Sequence, residues 1–162
     1  MRKQQKGFSL IELLIVVAII LIIAAIAIPN LLRSRMAANE ASAVGSLRTI
    51  NTAEVTYSNT YPTVGFGNLG VLGGTAANCA GSTYASSSNA CLVDDVLANT
   101  AIKSGYNFTA TAGSGTPSVT YTSLAVPSAN GQSGSRAFCS DQSGVIRFNA
   151  GGTACGNTDA AL

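Results

Sequence analysis

An α+β fold is predicted for this chain: a long N-terminal helical spine, its apolar half protruding and its other half packed on an antiparallel β-sheet of about four strands. Three observations predict it. An apolar run extends from Phe8 to Ile28, broken only by Ser9 and Glu12. Past Pro29, apolar residues recur at helical spacing as far as Tyr57. After Lys103-Ser104-Gly105 the period changes to two and stays so through four short segments. The predicted organisation is a basic leader over 1–7, an apolar helix half over 8–28, an amphipathic half over 29–57 and a globular head over 58–162. The head divides into a loop region, 58–104, and a sheet with its C-terminal loop, 105–162.

The run from Phe8 to Ile28 has 21 residues. At about 1.5 Å of rise per residue that is about 30 Å of helix, enough to cross the hydrocarbon core of a bilayer. An unpaired carboxylate near the end of such a helix costs about 2.5–3.5 kcal/mol, so Glu12 calls for a partner. Cutting the chain after Gly7 would supply one. Phe8 would gain a free amine at i, i+4 from Glu12, at the helix end whose dipole favours negative charge.

Pro29 fixes its own φ and lacks a backbone donor, so a kink is expected there. The helix then continues, because Ala43, Leu47, Ile50 and Tyr57 recur at three, four and seven while Arg48, Asn51 and Thr52 fall elsewhere. Gly45 is its weak point. Phe8 to Tyr57 would span about 75 Å, so about half of the helix must extend beyond whatever its second half packs on.

Tyr61-Pro62 ends the helix, and Gly65 to Ala90 has the Gly, Ala, Ser, Asn and Thr content of an irregular surface loop. Leu92 to Leu97 reads as a short helix capped by Ser88 or Asn89. Asp94 and Asp95 are expected to face water, since adjacent helical positions diverge by about 100°. Strands are expected at Tyr106–Ala110 and Val119–Thr122, across a turn at Gly113–Pro117, and at Arg136–Cys139 and Val145–Phe148, joined by Asp141–Gly144. A sheet with one apolar face needs a cover, and the second half of the helix is the element long enough to provide it.

Composition bounds the chemistry. Taking Arg2, Lys3 and Lys6 from nine basic side chains leaves six against seven acidic ones, and no basic cluster remains outside the leader. No specific nucleic-acid partner is therefore expected. Cys79, Cys91, Cys139 and Cys155 all lie beyond the apolar helix, on the side that a positive-inside orientation places outside the cytoplasm. They allow three pairings, which spacing alone does not decide. We favour Cys79 with Cys91 and Cys139 with Cys155, since each closes a short Gly-, Ser-, Asn- and Ala-rich loop with little apolar surface to fix it. Zinc is disfavoured because there is no Cys-x-x-Cys pair and no histidine.

The lack of histidine also removes the usual neutral-pH base, and no Ser lies in a Gly-x-Ser-x-Gly elbow, so no catalytic residue, metal or cofactor is expected. Asp141 reads as a turn-capping aspartate, with calcium the lesser reading because the nearest other carboxylate is Asp159. Asn107-Phe108-Thr109 matches a glycosylation sequon inside an expected strand, and Ser82 to Ser88 has a composition that could carry O-linked sugars.

Two plain readings of the N-terminus fit less well. As a secretory signal peptide with a small-x-small site at Ala25-Ile26-Ala27, the apolar region is too long and carries a carboxylate. As a simple anchor, it leaves Glu12 and the Gly7-Phe8 junction unexplained. The basic leader, the Gly7-Phe8 junction, Glu12 as the fifth residue after it, the apolar segment and the closing Pro29 together resemble the type IV pilin family and the related type II secretion pseudopilins. The resemblance is close over residues 6–57 and general in plan beyond.

It implies cleavage after Gly7 by a prepilin peptidase, N-methylation of Phe8, passage through the inner membrane and the pilus assembly machinery, and polymerisation with copies of itself into an extracellular filament. In that family the residue corresponding to Glu12 pairs with a neighbour's terminal amine. This chain departs from many members at Leu21, where they carry glycine. The functional expectation is a type IV pilus subunit. The alternatives are a periplasmic pseudopilin, or an anchored or secreted binding domain that does not polymerise. Contacts of an assembled filament are expected in the Gly65–Ala90 loop and the Cys139–Cys155 region.

Overall fold

The structure is a computed structural model, and it describes residues 8–75, 78–79 and 85–162. Contacts divide the chain into two units, 1–35 and 36–162. Helix α1, Leu10–Thr60, contributes to both and runs through Pro29 without interruption.

In the first unit the helix is rich in Ile and Val, which are mediocre helix formers in water. A bilayer reverses that preference, because a helix satisfies every backbone group internally. The helix is long and apolar enough to cross a membrane by length and composition, and none of its most apolar stretch is buried.

In the second unit α1 becomes amphipathic. Ala43, Leu47, Ile50, Ala53 and Tyr57 face inward on one stripe. The exposed threonines Thr49, Thr52, Thr56 and Thr60 each donate back to the carbonyl four residues earlier, at 2.8–3.2 Å. Their hydroxyls therefore need no external partner.

The cover for that stripe is an antiparallel sheet in the order β1 to β6: β1 Ile102–Lys103, β2 Tyr106–Ala112, β3 Tyr121–Pro127, β4 Ala137–Asp141, β5 Arg147–Asn149 and β6 Ala160–Ala161. Strand β2 alternates as its sequence requires, with Tyr106, Phe108 and Ala110 in and Asn107 and Thr109 out. Tyr57, Leu47, Ile50, Tyr106, Phe108, Tyr121 and Phe138 are among the largest fully buried side chains. Each large apolar side chain buried in this way contributes about 1.5–3 kcal/mol.

The sheet has six strands rather than about four. The two extra ones are two-residue edges whose sequences carry no period. Strand β1 exists because Ser104 and Gly105, both at positive φ, make the tight turn that pairs Lys103 with Tyr106. Strand β6 is fixed from outside by pairing with Arg147 and Phe148.

Strand β3 starts and ends later than expected. Ser118 is captured by the segment that follows α1, donating its N–H to the Val64 carbonyl and accepting from the Phe66 N–H. The strand begins only at Tyr121 and runs to Pro127 opposite Tyr106.

The helix expected over 92–97 is displaced. The N–H groups of Leu92 and Val93 donate to the Leu72 carbonyl, and no helix forms at those residues. A π-helical turn forms instead at Val96–Thr100. Their acceptor belongs to a short helix, α2 (Leu69–Leu72), inside the stretch expected to be irregular. Its Leu69 and Leu72 are buried and anchor that segment to the core.

Candidate assembly site

The predicted site residues fall on the first unit and, in the second, on strand β4 and the loops. Gly7 lies outside the described residues, as do residues 82–84 of the serine-rich stretch. Phe8 is 78% exposed. Ser9 stands immediately before the first helical residue, and its backbone N–H donates to Glu12 Oε2 at 2.9 Å. This is half of a capping box: the carboxylate three residues into the helix folds back to satisfy a donor with no partner inside the helix. Glu12 therefore points at the N-terminal end, toward the place where an amine on Phe8 would stand. The Ser-x-x-Glu spacing was visible in the sequence, and Ser9 is the site residue that reading by charge alone missed.

Around this end the helix presents apolar side chains on every side. Leu10, Ile11, Leu13 and Leu14 are each more than half exposed, as are Ile19, Ile20, Leu21, Ile22 and Ile23. Leu10, Leu13, Leu14, Val17, Ala18 and Leu21 line one shallow apolar groove of about 410 Å³. Such a surface has no stable place in water.

In the second unit Cys79 is bonded to Cys91 and Cys139 to Cys155. The first bridge ties down the segment after α2. The second joins β4 to the C-terminal loop. Asp141 ends β4, and its Oδ1 accepts from the Ser143 N–H at 2.8 Å. Hydrogen bonding from Ser143, its hydroxyl first and its N–H with it, outweighs burial and holds the carboxyl below its ordinary range. Asp159 accepts from the Gly156 N–H at 2.8 Å and from Asn149 at 3.1 Å. Both aspartates serve turns, and no group of three or more potential metal ligands occurs among the described residues. Asp94 is exposed and pairs with Lys103 at 2.8 Å, while Asp95 accepts from Asn99.

Two carboxylates overlooked in the sequence organise how α1 meets the head. Glu40, 7% exposed, accepts from the Ser135 N–H at 2.9 Å and faces Arg136 Nη2 at 2.7 Å. Burial alone would raise its pKa, but the hydrogen bonds from Ser135 and Arg136 outweigh it, and the carboxyl sits below its usual range. Arg136 in turn lies 5.4 Å from the Phe138 ring centroid and 5.5 Å from that of Phe148. Glu54 is fully buried. Its Oε2 accepts from the Gly67 N–H at 2.9 Å, and its Oε1 has no partner. Burial pushes this carboxyl up to about 7, the Gly67 N–H pulling weakly the other way. Both residues fall on the 40, 43, 47, 50, 54, 57 stripe, a spacing that could have found them.

Residues 2–28 match the family model described as the prokaryotic N-terminal methylation motif. The chain is similar to the type IV wide pilus major component of Thermus thermophilus, 63% identical over 38 residues, covering 24% of this chain and 29% of that one. It is also similar to the type IV major pilin protein of Myxococcus xanthus, 44% identical over 54 residues, covering 33% of this chain and 24% of that one. It thus spans less than a third of the length of these curated relatives. No solved structure matches it.

Proposed function

We propose that this chain, a member of the type IV pilin family by its N-terminal segment, is the structural subunit of a type IV pilus. In this reading the precursor sits in the inner membrane through residues 8–28, oriented by Arg2, Lys3 and Lys6. A prepilin peptidase cuts between Gly7 and Phe8, and Phe8 is N-methylated. The assembly machinery then moves the helix out of the lipid and packs it against copies of itself. Glu12 guides docking by pairing with the new amine, and Pro29 marks where the packed half of the helix ends. The role is structural and not enzymatic.

The observation that carries this reading is the uncovered first half of α1, apolar on all sides, with one carboxylate that is held at its N-terminal end. A bilayer covers such a helix before assembly, and neighbouring copies cover it afterwards. The two-sided requirement explains why Glu12 is kept where lipid alone would reject it. The test is to shear cells that express the chain, image the released material and identify its subunit by mass spectrometry. Long external filaments built of this chain, beginning at methylated Phe8, are expected. Recovery of the chain only with envelope secretion machinery would replace the proposal with the pseudopilin reading.

A further inference from the structure

We propose that Arg33 and Arg35 form a collar that binds the phosphates of anionic lipid headgroups at the outer end of the membrane-spanning part of α1. This rests on the reading that residues 8–28 lie in a bilayer before assembly. At about 1.5 Å per residue they rise about 30 Å, the hydrocarbon thickness of a bilayer, so Arg33 and Arg35, one to two turns further on, emerge at headgroup depth.

Both arginines are exposed, directly after Leu31 and Leu32, which are 70% and 50% exposed. Their own helix offers them no acidic partner. The places three and four residues from Arg33 hold Pro29, Asn30, Met36 and Ala37, and those from Arg35 hold Leu31, Leu32, Ala38 and Asn39. The ion pairs among the described residues are Lys103 with Asp94 and Arg136 with Glu40. Two positions apart on a helix are about 200° apart around its axis, so the guanidinium groups point to opposite sides and each engages a different lipid. A guanidinium fork matches phosphate oxygens in a bidentate way, and its long stem can lie back along the apolar surface.

Processing gives the collar a further consequence. Arg2, Lys3 and Lys6 leave with the leader, and the next basic residue beyond Arg35 is Arg48. The leader thus sets orientation, and the mature helix is held by basic side chains from its outer end alone. No basic side chain then opposes its withdrawal from the inner leaflet.

The test uses the processed full chain in dodecylmaltoside micelles, titrated separately with phosphatidylglycerol and phosphatidylcholine, with retained lipid counted by native mass spectrometry. Preference for phosphatidylglycerol is expected to fall about fivefold for each cation removed, hence about 25-fold in the R33Q/R35Q double variant. Arg48→Gln should retain it, and both variants should keep the wild-type unfolding temperature of the head. Inorganic phosphate at the same concentration should not displace the lipid.

Equal retention of the two lipids, or unchanged phosphatidylglycerol retention in R33Q/R35Q, would overturn the proposal. Displacement by inorganic phosphate would reduce the collar to a simple anion site and overturn it too. Filament formation is not read in this assay. A chain that binds phosphatidylglycerol yet builds no filaments therefore sinks the pilus reading alone.

Discussion

Helix α1 carries the same kinds of side chain to opposite fates. Ile22 is 62% exposed, whereas Ile50, four turns past Arg35, is fully buried. Near Ile50 the apolar residues keep to one stripe and the chain's own sheet covers them. Near Ile22 they surround the helix, and nothing among the described residues covers them. Burial of a large apolar side chain contributes about 1.5–3 kcal/mol in the head, and the same contribution over residues 10–32 is available only from lipid or from other copies. One half of the helix is thus a folding element and the other, in the proposed function, an assembly element, and changes to each should read out separately.

The largest separation is expected from Glu12→Leu. It removes the carboxylate and makes the helix more apolar, so insertion and accumulation of monomer should be unaffected while filament yield falls to near zero. Counting filaments and blotting membrane-bound subunit in the same strain checks it, and normal filaments would break the comparison at its assembly end. Glu12→Gln sharpens it, since the amide can still accept from the Ser9 N–H but carries no charge to pair with an amine.

At the folding end, replacing Cys139 and Cys155 with Ser opens a loop whose ends are 16 residues apart. A loss of about 3 kcal/mol in head stability is expected by chemical denaturation, with insertion of residues 10–32 unchanged.

The two halves were not equally legible in the sequence. Residues 8–28 were plain because their length, with only Ser9 and Glu12 polar, admits few other readings. The 43, 47, 50, 57 stripe was plain by spacing, yet Glu40 and Glu54 on that stripe were passed over because a carboxylate ordinarily marks a solvent face. Only tertiary structure shows the Arg136 and Ser135 groups that receive Glu40 and the Gly67 N–H that receives Glu54. Strand β2 followed from strict alternation, whereas β1 and β6 are too short to alternate. Helix α2 was hidden in a Gly- and Ala-rich stretch. Its Leu72 carbonyl accepts from the N–H groups of Leu92 and Val93, and the helical turn stands at Val96–Thr100 rather than over 92–97, a contact between separate segments that no local pattern records.

Glu54 gives the folded half of the helix a pH dependence. Its folded pKa of about 7 lies above its unfolded value of 4.5, so its stabilisation is complete below pH 4.5 and is lost as pH rises through 7. Tyr57 on α1 and Tyr121 on β3 are the titratable groups that face it, and the chain has no histidine to titrate in the same window. Stability of the head should fall by about 2–3 kcal/mol between pH 5 and pH 8. Denaturation midpoints across that range check this, and Glu54→Gln should flatten the slope. An equal slope in wild type and variant would show that Glu54 ionises as an ordinary surface carboxylate.

The smallest effect belongs to Gly45→Ala. Gly45 is exposed within the second half of α1, and a methyl group there would meet nothing within 4 Å. A gain of about 0.5–1 kcal/mol in head stability is expected from thermal unfolding, with filament yield unchanged. A loss of stability there would mean that the helix is bent or contacted at that point in a way its surroundings do not reveal.

The division of labour along α1 is tested most directly by a density map of the purified filament. Residues 10–32 are expected in the filament interior, in contact with the same segment of other copies, with Glu12 beside the amine of Phe8 and the head disulfides away from the axis. A filament that lacks this chain, or one whose copies touch only through residues 36–162 and leave residues 10–32 outside, would contradict it.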